Sequence, residues 1–78
     1  MKTYLYIHGG LVDGKFKRAV EEHISLPKDT FKMRKHYDEY YVIKDILKVD
    51  VTLKGLLKLS QVVDVQLVSG DIHLIGSQ

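Results

Sequence analysis

Apolar and polar positions alternate at the beginning of the chain. Over residues 3–8, Leu5 and Ile7 share one side of an extended backbone. The side chains that share the opposite side are Tyr4, Tyr6 and His8. This period of two predicts a β-strand with one buried face, and Gly9 and Gly10 are predicted to end it.

A helical period follows the first strand. Residues of one stripe recur three and four positions apart, as on the buried side of an amphipathic helix: Phe16, Ala19, Val20, His23 and Ile24. Asp13 is predicted to cap this helix because its carboxylate can accept hydrogen bonds from the free N–H groups of the first turn. Pro27 is predicted to end it. The alternative is a hairpin turn at Asp13 and Gly14, and the complete stripe favours the helix.

The middle of the chain returns to alternation. Residues 30–36 and 40–51 are predicted to form the two strands of a hairpin, with a polar turn at residues 37–40 between them. The alternation of the second strand slips near Lys44 and Asp45, which allows a β-bulge there.

The last third of the chain predicts a second helix and more strand. Asp50 or Thr52 is predicted to cap the helix, whose buried side is formed by Leu53, Leu56, Leu57 and Ser60. Residues 63–68 are predicted as the last main strand, and residues 72–76 as a short strand at the sheet edge.

This order of elements predicts an α+β fold of the ferredoxin-like type, a βαββαβ sandwich with an antiparallel sheet and two helices on one face. Right-handed crossovers would place the first and third strands at the centre of the sheet. The pattern also allows an extra C-terminal edge strand. Residues 1–78 are predicted to form a single domain. The predicted core is Phe16, Ala19, Val20, Ile24, Leu53, Leu56 and Leu57 against Leu5, Ile7, Val65 and Leu67.

Composition narrows the range of functions. The chain has no cysteine, which excludes disulfides and thiolate zinc sites and agrees with a cytoplasmic location. No apolar run approaches the roughly 20 residues that a membrane helix needs, so no membrane partner is expected. The net charge of +2 is too small to indicate a nucleic-acid partner by itself.

His8, Gly9 and Gly10 resemble the oxyanion-hole segment of lipase-type α/β-hydrolases. Such enzymes need a nucleophile on a strand-to-helix elbow, and none of the serines lies in that context. We therefore expect no catalytic residues and no enzymatic activity. The two glycines are instead predicted to turn the chain from strand to helix. Free N–H groups at that turn make Gly9 and Gly10 a candidate anion site.

The histidines are not spaced along the sequence as in common metal-binding motifs. His8, His23, His36 and His73 fall on four different predicted elements, with neither an H-x-H nor an H-E-x-x-H motif. The sequence therefore predicts no metal site and no cofactor.

The open face of the predicted sheet carries aromatic and cationic side chains. The candidate binding surface consists of Tyr4, Tyr6, His8, Lys32, Arg34, His36 and Tyr41. Two alternatives, Tyr41 with Ile43 or Tyr40 with Val42, are open for the outward side of the third strand. Rings beside cations suit single-stranded nucleic acid, because bases stack on rings and cations hold phosphates. Tyrosine together with arginine is equally typical of protein interfaces.

Residues Leu5, Tyr6 and Ile7 are similar to the start of the first-strand motif of RNA-recognition-motif domains, which share this predicted topology. The third-strand motif of that family, basic-Gly-aromatic-Gly-aromatic, is absent, and residues 36–43 supply only tyrosines. The resemblance implies single-stranded nucleic-acid binding. The first expectation is a binding module for a protein partner or a second copy, as in small phage-encoded inhibitors or adaptors of host enzymes. The alternative is a single-stranded nucleic-acid-binding domain on the same face.

Overall fold

Two helices and a five-stranded mixed sheet form an α+β structure in the computed structural model, which describes residues 2–34 and 37–75. The strands are β1 (Thr3–Asp13), β2 (Phe31–Met33), β3 (Glu39–Val51), β4 (Gln66–Val68) and β5 (Asp71–Leu74), and the helices are α1 (Gly14–His23) and α2 (Leu53–Ser60). Within these ranges no helix is both long and apolar enough to cross a membrane.

The strand order β2-β3-β1-β5-β4 differs from the ferredoxin-like prediction at one side of β1. The hairpin and the central β3–β1 pair are antiparallel as predicted. On the other side of β1, however, the neighbour is β5 in parallel orientation, and β4 lies outside it. The prediction that residues 72–76 form the edge strand is therefore wrong. The reason is that Ile72 and Leu74 align with Leu5 and Ile7 on the core side of the sheet, where Leu74 is fully buried.

The sequence predicted that Gly9 and Gly10 end the first strand. This prediction is wrong, because β1 continues to Asp13. The pairing of β1 with β3 shifts register between His8 and Gly10, opposite the predicted bulge near Lys44 and Asp45. Both strands change their alternation there: Leu5 and Ile7 are buried before the shift, and Val12 is buried after it. The irregularity thus keeps apolar residues on the same side along the whole strand.

Both helices begin where the sequence predicted. The Asp13 carboxylate accepts a hydrogen bond from the Phe16 N–H at 2.7 Å, and the Thr52 hydroxyl accepts one from the Gly55 N–H at 3.0 Å. These caps satisfy donors that a helix leaves free in its first turn. The hairpin alternative at Asp13 and Gly14 is therefore wrong.

The core lies between the helices and one face of the sheet. The buried apolar residues are Leu5, Ile7, Val12, Val20, Ile24, Val42, Leu47, Val49, Leu56, Leu59 and Leu74. Phe16 and Val65 are partly buried against this cluster, while Ala19 is half-buried.

Three predicted core leucines point to solvent instead. Leu53 and Leu57 are 63% and 56% exposed on α2, and Leu67 is 78% exposed on β4. Ser60, which was assigned to the same buried side of α2, is also exposed. On α2 the buried side is formed by Leu56 and Leu59, because the short helix carries leucines on more than one side and tertiary packing selects among them.

The close approach of the chain at the bulge predicts that Gly9 resists substitution. A Cβ built on Gly9 would lie 2.5 Å from the backbone oxygen of Lys44, so Gly9→Ala requires the backbone of β3 to move. We expect a loss of about 1–3 kcal/mol in the free energy of unfolding, measured by urea titration. The exposed side chain of Lys44 provides the control at the same bulge, and Lys44→Ala should change stability by less than about 0.5 kcal/mol. Equal stability of Gly9→Ala and Lys44→Ala would contradict the close approach.

The strand order predicts different roles for two leucines. Leu74 on β5 is fully buried and Leu67 on β4 is largely exposed. Leu74→Ala should therefore destabilise the protein by about 2–5 kcal/mol, while Leu67→Ala should lie within about 0.5 kcal/mol of the unsubstituted chain. Urea titration of the two variants checks this. The reverse ranking would favour residues 63–68 as the inner strand.

Candidate functional site

The open face of the sheet is the side opposite the helices. Strand β1 places Tyr4, Tyr6 and His8 there, because Leu5 and Ile7 between them point into the core. On β3, Tyr41 is exposed on this side, whereas Val42 is buried and Tyr40 packs against the core. Of the two alternatives for the third strand, the structure supports the outward position of Tyr41.

Four side chains form a tyrosine–histidine cluster near the centre of this face: Tyr4, Tyr6, His8 and His73. The parallel pairing of β1 with β5 sets Tyr6 directly beside His73, and their rings stack with centroids 5.2 Å apart. His8 Nε2 lies 2.6 Å from His73 Nδ1, within hydrogen-bond distance. The sequence interpretation missed His73 because it assigned β5 to the sheet edge, far from β1.

Lys48 joins the cluster from β3. It pairs directly with Tyr6 across the strands, and its ammonium lies 4.2 Å from the ring centroid of Tyr4 and 5.9 Å from that of Tyr6. A cation at these distances is attracted to the negative face of an aromatic ring. The lysine therefore interacts with the rings of both tyrosines from the neighbouring strand.

Apolar surface adjoins the cluster, and the charges of the side chains around the cluster cancel. Ile46 pairs with His8 across the strands and is 53% exposed. The charged side chains around the cluster are Lys2 and Lys48 against Asp50 and Asp71, with Lys2 Nζ 3.4 Å from the Asp50 carboxylate. Exposed aromatic and aliphatic groups without net charge are typical of protein contact surfaces rather than phosphate-binding ones.

The other predicted surface residues lie at the hairpin end of the sheet. Lys32 pairs directly with Tyr41. Arg34 contacts Glu39, with 3.3 Å between Nη1 and Oε1, and lies 5.0 Å from the ring centroid of Tyr37. Tyr41 also pairs with Leu11, which is five residues from Tyr6, or roughly 16 Å along a strand. The predicted binding surface therefore consists of two separate groups of side chains on the open face of the sheet. His36, which was assigned to the same surface, lies outside the described residues.

The candidate anion-site residues Gly9 and Gly10 do not lie at a turn from strand to helix, as the sequence predicted. Both glycines lie within β1, and helix α1 begins only at Gly14. The first turn of α1 is capped by the Asp13 carboxylate, which already accepts the Phe16 N–H. Gly10 has φ +126°, a backbone conformation that favours glycine, so the pair serves the bulge rather than a turn into the helix.

No protein-family model matches the chain, and no curated protein or solved structure gives a significant match. The case for a function therefore depends on the geometry of the open sheet face.

A further cation near the hairpin is also paired with a carboxylate. The guanidinium of Arg18 on α1 donates to both oxygens of Asp38, at 3.3 and 3.2 Å. These hydrogen bonds hold the pKa of Asp38 below its usual value and raise the pKa of Arg18. Arg18 and Arg34 are thus engaged with acids and less available to phosphates.

The Arg18–Asp38 pair predicts a pH-dependent contribution to stability. Because the pKa of Asp38 is lowered in the folded chain, the contribution is present above the carboxyl's unfolded pKa and disappears as pH falls through the lowered value. The melting temperatures of the unsubstituted chain and Asp38→Asn should therefore converge on acidification below about pH 4. The effect should be small and salt-sensitive because both groups are exposed. A separation that stays constant from pH 7 to pH 3 would contradict it.

Proposed function

We propose that this chain is a non-catalytic binding module that uses the open face of its sheet to bind and regulate a protein partner. The observation that carries the proposal is the row of Tyr4, Tyr6 and His8 along β1, on the face of the sheet opposite the helices and bordered by exposed Ile46. Tyrosine rings combine a large apolar area with a polar hydroxyl, and they are enriched among residues that dominate binding energy at protein interfaces.

The side chains of the tyrosine–histidine cluster are restrained before a partner binds. The Tyr6 ring stacks on His73 and has the Lys48 ammonium 5.9 Å from its centroid, so a partner meets a tyrosine that is already restrained. Less side-chain entropy is then lost on association. A partner bound to this face would have part of its own surface covered. We therefore propose an inhibitor or adaptor of a larger enzyme as the form of regulation.

A second candidate is single-stranded nucleic acid on the same face. It is supported by Lys48 beside Tyr6, since a cation next to a ring on a central strand can serve one phosphate and one base. The balanced charge around the cluster and the pairing of Arg34 with Glu39 argue for the protein partner. The two candidates differ in their dependence on salt.

Tyr6→Ala tests the protein-binding proposal. We expect Tyr6→Ala to weaken binding at least tenfold, measured with the partner that the unsubstituted chain captures from nuclease-treated lysate and that is then purified. Tyr37→Ala makes the same chemical change at the hairpin end, where Tyr37 is 59% exposed, and should bind as the unsubstituted chain does. Both variants should keep their melting temperature within a few degrees. Unchanged affinity of folded Tyr6→Ala would refute the proposed role of the cluster.

An oligonucleotide titration tests whether the chain binds single-stranded nucleic acid instead of a protein. Single-stranded DNA and RNA labelled with a fluorophore are titrated with the chain at two salt concentrations. Binding through two phosphate contacts would give a log–log salt slope of roughly −1.4. Binding with this slope that is lost in Tyr6→Ala would establish the nucleic-acid alternative. Absence of binding at micromolar protein and low salt would leave the protein partner.

A further inference from the structure

We propose that His8 and His73 form a binding site for a divalent transition-metal cation of the kind that prefers imidazole ligands, such as Zn²⁺. His8 Nε2 and His73 Nδ1 are 2.6 Å apart and come from neighbouring strands. Imidazole nitrogen is a ligand that zinc, nickel and copper accept readily, whereas Mg²⁺ and Ca²⁺ prefer oxygen. The two rings therefore bring two ligand nitrogens of one chemical type close together.

The two rings are restrained by their neighbours. The His73 ring stacks on Tyr6 with an angle of 21° between the planes, and the His8 ring is tilted by 42° against it at 4.9 Å between centroids. Both histidines are half-buried in the sheet surface. Parallel strand pairing fixes the separation of their backbones, so little ordering remains when a cation binds.

The protonation of the pair is compatible with coordination. In the hydrogen bond between them, one of the two facing nitrogens carries a proton and the other offers a lone pair. A metal ion requires lone pairs from both facing nitrogens. The ring that donates must therefore move its proton to its outer nitrogen, a change of tautomer that leaves both imidazoles neutral and releases no net proton.

Coordination requires both rings to move. With Zn–N bonds of about 2.0–2.1 Å and a tetrahedral angle, the two nitrogens would be separated by roughly 3.3 Å. The distance of 2.6 Å between His8 Nε2 and His73 Nδ1 must therefore widen, and each ring must turn so that its lone pair points at the metal instead of at the other nitrogen. Because both half-buried rings lie on the open face of the sheet, water can complete the coordination.

The site has two protein ligands. Among residues 2–34 and 37–75 no group of three or more histidine, aspartate or glutamate side chains could hold a metal ion. The charged side chains around the cluster carry no net charge: Lys2, Lys48, Asp50 and Asp71. We therefore expect affinity below that of three- or four-ligand zinc sites, with selectivity for cations that bind nitrogen.

The test uses the full chain without an affinity tag and Zn²⁺ as the probe. NMR spectra of the histidine ring protons are recorded during titration, and calorimetry supplies the affinity. The signals of His8 and His73 should shift together with Zn²⁺ and stay in place with Mg²⁺. His8→Gln and His73→Gln should each weaken Zn²⁺ binding at least tenfold. His23→Gln on α1 is the matched control and should leave the affinity within twofold.

Two results would overturn the site. One is a Zn²⁺ titration of the unsubstituted chain in which the signals of His8 and His73 do not move; this needs no variant and is unaffected by folding defects. The other is a folded His8→Gln that binds Zn²⁺ as tightly as His23→Gln does. Neither measurement uses a partner protein, so the metal site and the proposed protein-binding function fail or hold separately.

Discussion

The parallel pairing of β1 with β5 is the interaction on which the candidate site depends. It aligns Leu5 with Ile72 and Ile7 with Leu74 on the core side, and the same register sets Tyr6 beside His73 on the open side. Burial of Leu74 therefore helps to stabilise the position of a histidine that belongs to the binding surface. Packing on one face of the sheet determines which side chains meet on the other, because neighbouring residues of a strand point in opposite directions.

The bulge between Gly9 and the Lys44–Asp45 segment is the second constraint. Without a change of alternation, the residues of β1 beyond the bulge would point to the opposite side of the sheet. Val12 would then leave the core, and the residues beside it that now lie on the open face would turn into the core. The irregular register returns Val12 and Val42 to the buried side. Gly9 allows it because the backbone of β3 approaches where a Cβ would otherwise lie. The His-Gly-Gly segment, which resembles an oxyanion hole in sequence, thus has a role in sheet geometry.

Local sequence patterns predicted the helices and strands well. They predicted less well which strands lie next to each other in the sheet. The alternation around Leu5, the cap at Asp13 and the slip near Lys44 depend on residues close in sequence, and each is present in the structure. The order of β4 and β5 depends on which segment fits beside β1, and periodicity within a segment does not contain that information. The prediction consequently included Tyr6 and His8 in the candidate surface and omitted His73.

The position of β5 beside β1 is tested most directly by nuclear Overhauser contacts in the unsubstituted chain. The structure predicts contacts between the ring protons of His8 and His73, together with a parallel β1–β5 backbone pattern that aligns Ile7 with Leu74. An antiparallel pattern between β1 and residues 63–68, with no contact between the two histidine rings, would contradict the strand order and remove the tyrosine–histidine cluster with it.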